Sequence, residues 1–471
     1  MADQLIVQAR HKPVLDPGFL PAVMWNRAYH RSVDASGRAV RFALALQRSD
    51  GTITTIRTRI LPHEGGNVAL NRTYLDRLLK LMLWSFGGWR VIAGGCTPAA
   101  EMLRSIYSLT GARSFDAAFM GEKTYDHPFT IEDVPYDQVP DSRETSLPLG
   151  RHLDGCRIGF DLGGSDRKCA AVQDGEVVFT EEVEWDPYFQ KDPQYHYNGI
   201  MDTLRRAASH LPRVDAIGGS AAGVYVNNEV RVASLFRGIP PDLYASRVRR
   251  MFFEIQQEWK GIPFEVVNDG EVTALAGAMS MNDNAVLGLS MGTSTAAGYV
   301  TPQGTITNWL NEMAFVPIDF RSDAPVDEWS GDIGCGVQYF SQQGVARLAP
   351  KAGLDFPKEM KFPERLVEVQ RLMKAGDERA EKIYRTIGTC FGYAIAHWSD
   401  YYEFRNLLVL GRVTSGHGGE LILEEAGAVL RDEFPALAAK VRLRTPNEQD
   451  KRHGQAVAAA SLPAIPVGAV R

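Results

Sequence analysis

The chain is short of cysteine, of basic excess and of long apolar runs. Its 471 residues include only five cysteines, Cys96, Cys156, Cys169, Cys335 and Cys390, scattered and without a C-x-x-C pair. That excludes a disulfide-stapled scaffold and a cysteine-rich zinc site, and fits reduced thiols in the cytoplasm. Lys and Arg total 51 against 57 Asp and Glu, a net charge of −6. Binding to nucleic acid, which calls for a basic surface, is disfavoured. No apolar run reaches the ~18 residues of a membrane span, and the start MADQLIVQARHKP lacks the apolar segment of a secretory leader. There is no G-x-x-x-x-G-K-[ST] and no G-x-G-x-x-G, so P-loop and dinucleotide-binding readings lack their signature. What remains is ordinary for a chain with a full core: 45% hydrophobic residues, 23% charged, 10% aromatic, with eight Trp.

The patterning is α/β. Residues 41–61 alternate, turn at Ser49-Asp50-Gly51 and alternate again, which predicts a hairpin. Residues 71–84 place Tyr74, Leu75, Leu78, Leu79 and Met82 on one helical face, and WRVIAGG (89–95) reads as a buried strand. A helix follows, with Thr97 as its N-cap and Pro98 at its first position. Residues 1–125 thus form an α/β domain, and the proline-rich stretch 126–150 reads as a linker. Beyond it come three strands with turns at Gly163-Gly164 and Asp174-Gly175, then helices over 197–210 and 242–259 among further strands, and a mostly helical stretch over 363–400. The expected division is 151–300 for a first lobe and the start of a second, and 301–471 for the second lobe with its C-terminal helices.

Five strand ends carry chemistry-bearing residues. Asp161-Leu162-Gly163-Gly164-Ser165-Asp166-Arg167-Lys168 is a tight hairpin whose glycines let backbone N–H groups approach an anion, while Asp161 is placed to hold Mg²⁺ directly or through water. The plain alternative is a turn that uses Gly and Asp for its backbone angles. Ser290-Met291-Gly292-Thr293-Ser294-Thr295 repeats the logic. It also completes G-x-S-x-G at Ser290, a hydrolase elbow only where a strand turns into a helix; here a strand is expected to follow. Asn268 and Asp269 close a buried strand, suited to a polyol hydroxyl and to accepting its proton, or to capping the next helix. Gly218-Gly219-Ser220 and LLVLGRVTSGHGG (407–419) are glycine-bearing strand ends.

In this order the motifs resemble the actin/hexokinase/heat-shock-chaperone ATPase superfamily and, within it, the ROK (repressor, open reading frame, kinase) family, over about residues 155–465. The resemblance implies a two-lobed, ribonuclease H-like ATPase fold with an additional N-terminal α/β domain, closing over ATP, Mg²⁺ and a sugar. It implies Gly163, Gly164, Ser165, Lys168, Gly292, Thr293 and Ser294 around the nucleotide phosphates, with Gly411 and Gly416 in the adenosine loop. It places Asp269 as base, Asn268, Glu312 and Ser220 on the sugar, and Asp161 near the metal. HGQAVAAASLP (453–463) is similar to the family's closing helix. A homodimer is compatible with it.

The sequence also departs from the family. Phe315 stands where a zinc-binding, sugar-contacting His is usual. The Cys-rich zinc run corresponds to Gly334–Ser341 with one cysteine, so no structural zinc is expected. The second sugar-contacting Glu falls on Val337 or Gln338, and Arg412 replaces a common glycine. The leading expectation is an ATP-dependent carbohydrate kinase. The alternatives are a non-catalytic ROK-like sugar sensor or regulator and, further off, a serine hydrolase acting through Ser290.

Overall fold

The computed structural model describes residues 5–144, 149–445 and 448–466. The N-terminal hairpin forms as expected, β1 (Val40–Gln47) against β2 (Ile53–Ile60), and β1 also pairs with β3 (Arg90–Gly94). The stretch expected as a linker supplies β4 (Thr130–Val134), which pairs parallel to β3 and completes the sheet β2-β1-β3-β4. Ile131 is buried among apolar neighbours, so a polar, proline-rich composition concealed a short edge strand. Residues 145–148 of that stretch lie outside the described part. Thr97 is the first residue of the helix Thr97–Ile106 rather than its cap; Cys96, with extended backbone, precedes it.

Two further sheets build the lobes. In the first, β5 (Cys156–Leu162), β6 (Asp166–Gln173) and β7 (Glu176–Glu184) form an antiparallel meander, while β8 (Ala216–Ala221) runs parallel to β5. A small hairpin, β9 (Val224–Val226) with β10 (Glu229–Val232), precedes β11 (Phe264–Asn268), which joins parallel to β8. The helix expected over 242–259 is broken into short turns at 241–248 and the helix Met251–Glu258. In the second lobe β12 (Val286–Met291) and β13 (Thr295–Val300) form a hairpin, with β14 (Asn406–Leu410) and β15 (Arg442–Arg444) parallel to β12. The helix Asp269–Met281 connects the two sheets.

Every residue of β5 is buried, because helices cover both faces of its sheet. One cover is the helix Glu448–Ala460, expected with the second lobe; it packs on β5, β6 and β8 of the first sheet and on the connecting helix Asp269–Met281. Its Ala-rich sequence and the strand glycines fit each other: a methyl at Gly159 would fall 1.7 Å from the Ala456 carbonyl oxygen. The N-terminal region is equally integrated. Phe19 packs on Tyr339, Trp25 on Phe320, and Asp16 gathers Arg321, Arg347 and Lys351, so this region and the second lobe share one core. Among the described residues no helix is long and apolar enough to cross a membrane.

Candidate functional site

The C-terminal ends of the parallel strands define the site, where open α/β sheets leave room for ligands. In the first sheet Asp161, Ser220 and Val267 lie side by side in register, followed by Leu162, Ala221 and Asn268. The hairpin between β5 and β6 is tight: the Gly163 N–H donates to the Asp166 carbonyl (2.9 Å) and the Ser165 hydroxyl to the Asp166 carboxylate (2.9 Å). Trp185 buttresses it by donating from Nε1 to the Gly163 carbonyl (2.7 Å), and the Tyr188 side chain lies against Gly164.

The second hairpin has the same construction. The Gly292 N–H donates to the Ser294 carbonyl (2.9 Å), and the exposed Thr293 and Ser294 form its tip. Beside it, Gly411 holds a φ of 105°, and a side chain there would meet the Met291 backbone at 2.5 Å; only glycine joins this loop to β12. Gly411 and Arg412 line a cavity of about 630 Å³ between the Asp269–Met281 helix and the end of β14. Gly416, with φ 70°, opens the helix His417–Glu433 and does not line that cavity. Ser290 lies in mid-ladder, paired with Ala296 and Leu410, and a strand follows it, so the strand-to-helix context of a nucleophile elbow is missing.

Asn268 caps the connecting helix. Its side-chain oxygen accepts from the Gly270 N–H and its Nδ2 donates to the Gly223 carbonyl, both 2.7 Å. The capping role considered for Asn268 or Asp269 thus falls to Asn268, and Asp269 stands at the first helical position, half-buried. Burial first, and then the negative charge of Asp161, raise its pKa to about 6. Glu312 is raised to about 7, by burial and then by the charge of Asp269. Asp161, Asp269 and Glu312 therefore share one electrostatic neighbourhood.

Asp161 is almost fully buried. It accepts from the Ser220 hydroxyl (2.6 Å), and its other oxygen lies 3.8 Å from Lys168 Nζ, which is itself bonded to Asp166 at 2.8 Å. Burial raises its pKa against the lowering effects of Ser220 and Lys168. A carboxylate only loosely paired, next to a second carboxylate and an exposed hairpin, is a donor set that suits a hard divalent cation bound mainly through phosphate and water. The Ser220 hydroxyl, expected on the sugar, donates to Asp161 and supports that carboxylate. Gln338, the other residue expected on the sugar, is buried, donates to Gln343 (3.0 Å) and is not among the residues that line the Glu312 cavity.

Glu312 instead faces a cavity of about 500 Å³ with Trp84, Phe119, Phe315 and Trp329. Trp84 Nε1 donates to Asp116 (2.6 Å), and Lys80, 0% exposed, bonds both Asp116 (2.9 Å) and Asp332 (3.1 Å). Arg77 and Arg113 also pair with Asp332, and Arg113 with Asp76. Cys335 lies buried beside Asp332, and among the described residues no group of three or more His, Cys, Asp or Glu side chains is placed to hold a metal ion. The pattern reading missed this wall and its supporting ions. The available signal was the run LLKLMLWSF (78–86), apolar on every face of its helix and therefore enclosed on all sides.

No family model and no curated relative matches the sequence. Solved structures do match. A ROK hexokinase from Thermus thermophilus is 18% identical over 65% of this chain and 96% of its own, with a TM-score of 0.51. A ROK family glucokinase from Streptomyces griseus, in complex with glucose and AMPPNP, is 20% identical over 65% and 98%, with a TM-score of 0.47. A ROK family transcriptional regulator, a homolog of the E. coli MLC protein, is 17% identical over 66% and 79%, with a TM-score of 0.48. About two-thirds of the chain has the fold of the ROK hexokinase, and the rest is the additional N-terminal α/β region.

Proposed function

We propose that this protein is a cytoplasmic kinase that moves the γ-phosphoryl group of ATP to a hydroxyl of a sugar or sugar derivative. The observation that carries this reading is Asp269: a carboxylate at the head of the connecting helix, raised to about 6 by burial and by the charge of Asp161. A group with that proton affinity is ionised near neutrality and still basic enough to accept a proton as an alcohol attacks phosphorus.

Phosphoryl transfer depends on positioning and charge neutralisation. The hairpins at 163–165 and 292–294 offer backbone N–H groups and the hydroxyls of Ser165, Thr293 and Ser294 to phosphate oxygens. Asp161, oriented by Ser220, would hold Mg²⁺, which offsets the charge of the phosphates when bound. The cavity at Gly411 and Arg412 takes the nucleoside. Glu312 accepts hydrogen bonds from sugar hydroxyls, while Asn268 keeps the helix start, and so Asp269, in place. The acceptor proton passes to Asp269 as the new O–P bond forms and ADP leaves.

Sugar-dependent ADP release from the purified chain tests this reading. A thermal-shift screen of sugars, with and without Mg²⁺-nucleotide, finds the acceptor: a ligand at 100 times its Kd stabilises by about 2.7 kcal/mol. Absence of ADP release with every sugar that binds would leave a sensor instead.

A further inference from the structure

The wall of the Glu312 cavity deepens this assignment. Trp84 and Phe315 have ring centroids 4.4 Å apart, Trp84 and Phe119 4.9 Å, Phe315 and Trp329 4.9 Å, and Phe119 and Trp329 5.4 Å. Phe315 and the half-exposed Trp329 present the accessible apolar surface beside Glu312, and Trp84 and Phe119, almost fully buried, pack behind them. Opposite them, Arg231 is neutralised by Asp126 and by Glu229 (2.9 Å), and Arg237 lies over the rings of Tyr188 (4.0 Å) and Phe189 (5.0 Å). Glu312 is thus the carboxylate of a lining that is otherwise mainly apolar.

A free hexose has hydroxyls around its whole edge. Hydroxyls turned onto Phe315 and Trp329 would lose water without gaining a partner, which is costly. A flat apolar group loses little and gains ring contacts. We propose that this cavity seats a flat apolar substituent carried by the acceptor sugar, so that the enzyme takes aryl glycosides or similarly substituted sugars in preference to the free parents. Trp84 and Phe119, which come from the N-terminal region, back Phe315 and Trp329, so that region supports the surface. The inference rests on the kinase reading for the word acceptor, and the experiment separates the two.

The full chain is assayed with Mg²⁺-ATP against phenyl glycosides of glucose, galactose and N-acetylglucosamine and against the three free sugars, by ADP release and by quenching of tryptophan emission. At least one phenyl glycoside is expected to exceed its parent in kcat/KM by about tenfold or more. Trp329→Ala, a half-exposed position that the fold tolerates, is expected to remove most of that ratio, and Phe315→Ala to act in the same direction. Free sugars used as well as or better than their phenyl glycosides would overturn the inference and leave the kinase intact. Phenyl glycosides that bind about tenfold tighter than their parents without ADP release would uphold the cavity assignment and remove the kinase. A panel in which nothing binds or reacts, or a preference unchanged in both variants, would overturn the inference.

Discussion

Two clusters of buried charge invite comparison. Where the N-terminal region meets the 327–335 loop, Arg77, Lys80 and Arg113 face Asp76, Asp116 and Asp332, three cations to three carboxylates. Burial alone would lower the pKa of Lys80, but Asp116 foremost among its neighbours holds it above the usual value, and three cations hold Asp332 well below the carboxylate range against its own burial. In the cleft, Lys168 lies 3.8 Å from Asp161, no ion pair among the described residues involves Asp269 or Glu312, and all three carboxylates are shifted upward. The balanced cluster orients Trp84 and ties two regions together. The unbalanced one retains proton affinity, a feature reactive sites share.

Substitutions can break this contrast. Asp269→Asn has the largest expected effect: kcat for phosphoryl transfer falls about 10²–10⁴-fold with stability little changed, read by ADP release and thermal unfolding. An equally active variant would remove Asp269 from the chemistry. Lys80→Met is expected to do the reverse. It leaves Asp116 and Asp332 short of a partner in the interior and lowers stability by about 3–5 kcal/mol, read by denaturant unfolding. An unchanged midpoint would mean that the cluster does not tie the regions together.

Proton affinity sharpens the comparison further. Because the raised pKa of Asp269 must be exceeded for it to act as base, kcat is expected to fall as pH drops below about 6, nearly tenfold per unit, in a pH–rate profile. The smallest effect is on folding. Glu271, beside the cleft and bonded to Asn311, is raised to about 8 by burial, against a usual 4.5. The folded chain binds a proton there that the unfolded chain has released, so stability declines as pH rises through the upper part of that window. Between pH 6.5 and 8 the melting temperature is expected to drop by about 2–4 °C, and Glu271→Gln to flatten the drop. Glu312, raised to about 7, contributes with the same sign.

Legibility from sequence tracked how local each feature is. The turn at Gly163-Gly164, the cap at Asn268 and the hairpin after Met291 are encoded by residues within a few positions of one another, and pattern reading finds them. β4 was missed because its five residues are an edge strand in a polar context, and Lys80 because a lysine on an apparent core helix reads as solvated. Ser220 and Gln338 were assigned to sugar by alignment logic; their hydrogen bonds to Asp161 and Gln343 involve geometry that no spacing reveals.

The amino-acid order by itself determined the alternation of strands and helices, the two glycine- and hydroxyl-bearing hairpins and the placement of Asp269 at a strand end, because each follows from short-range backbone preference and hydrophobic period. Only the tertiary structure decided that residues 5–144 share a core with the second lobe, that the last helix returns to the first sheet, and that Trp84, Phe119, Phe315 and Trp329 meet beside Glu312. Those outcomes depend on burial of side chains hundreds of residues apart, where desolvation and charge balance between whole elements, not local propensity, choose the partner.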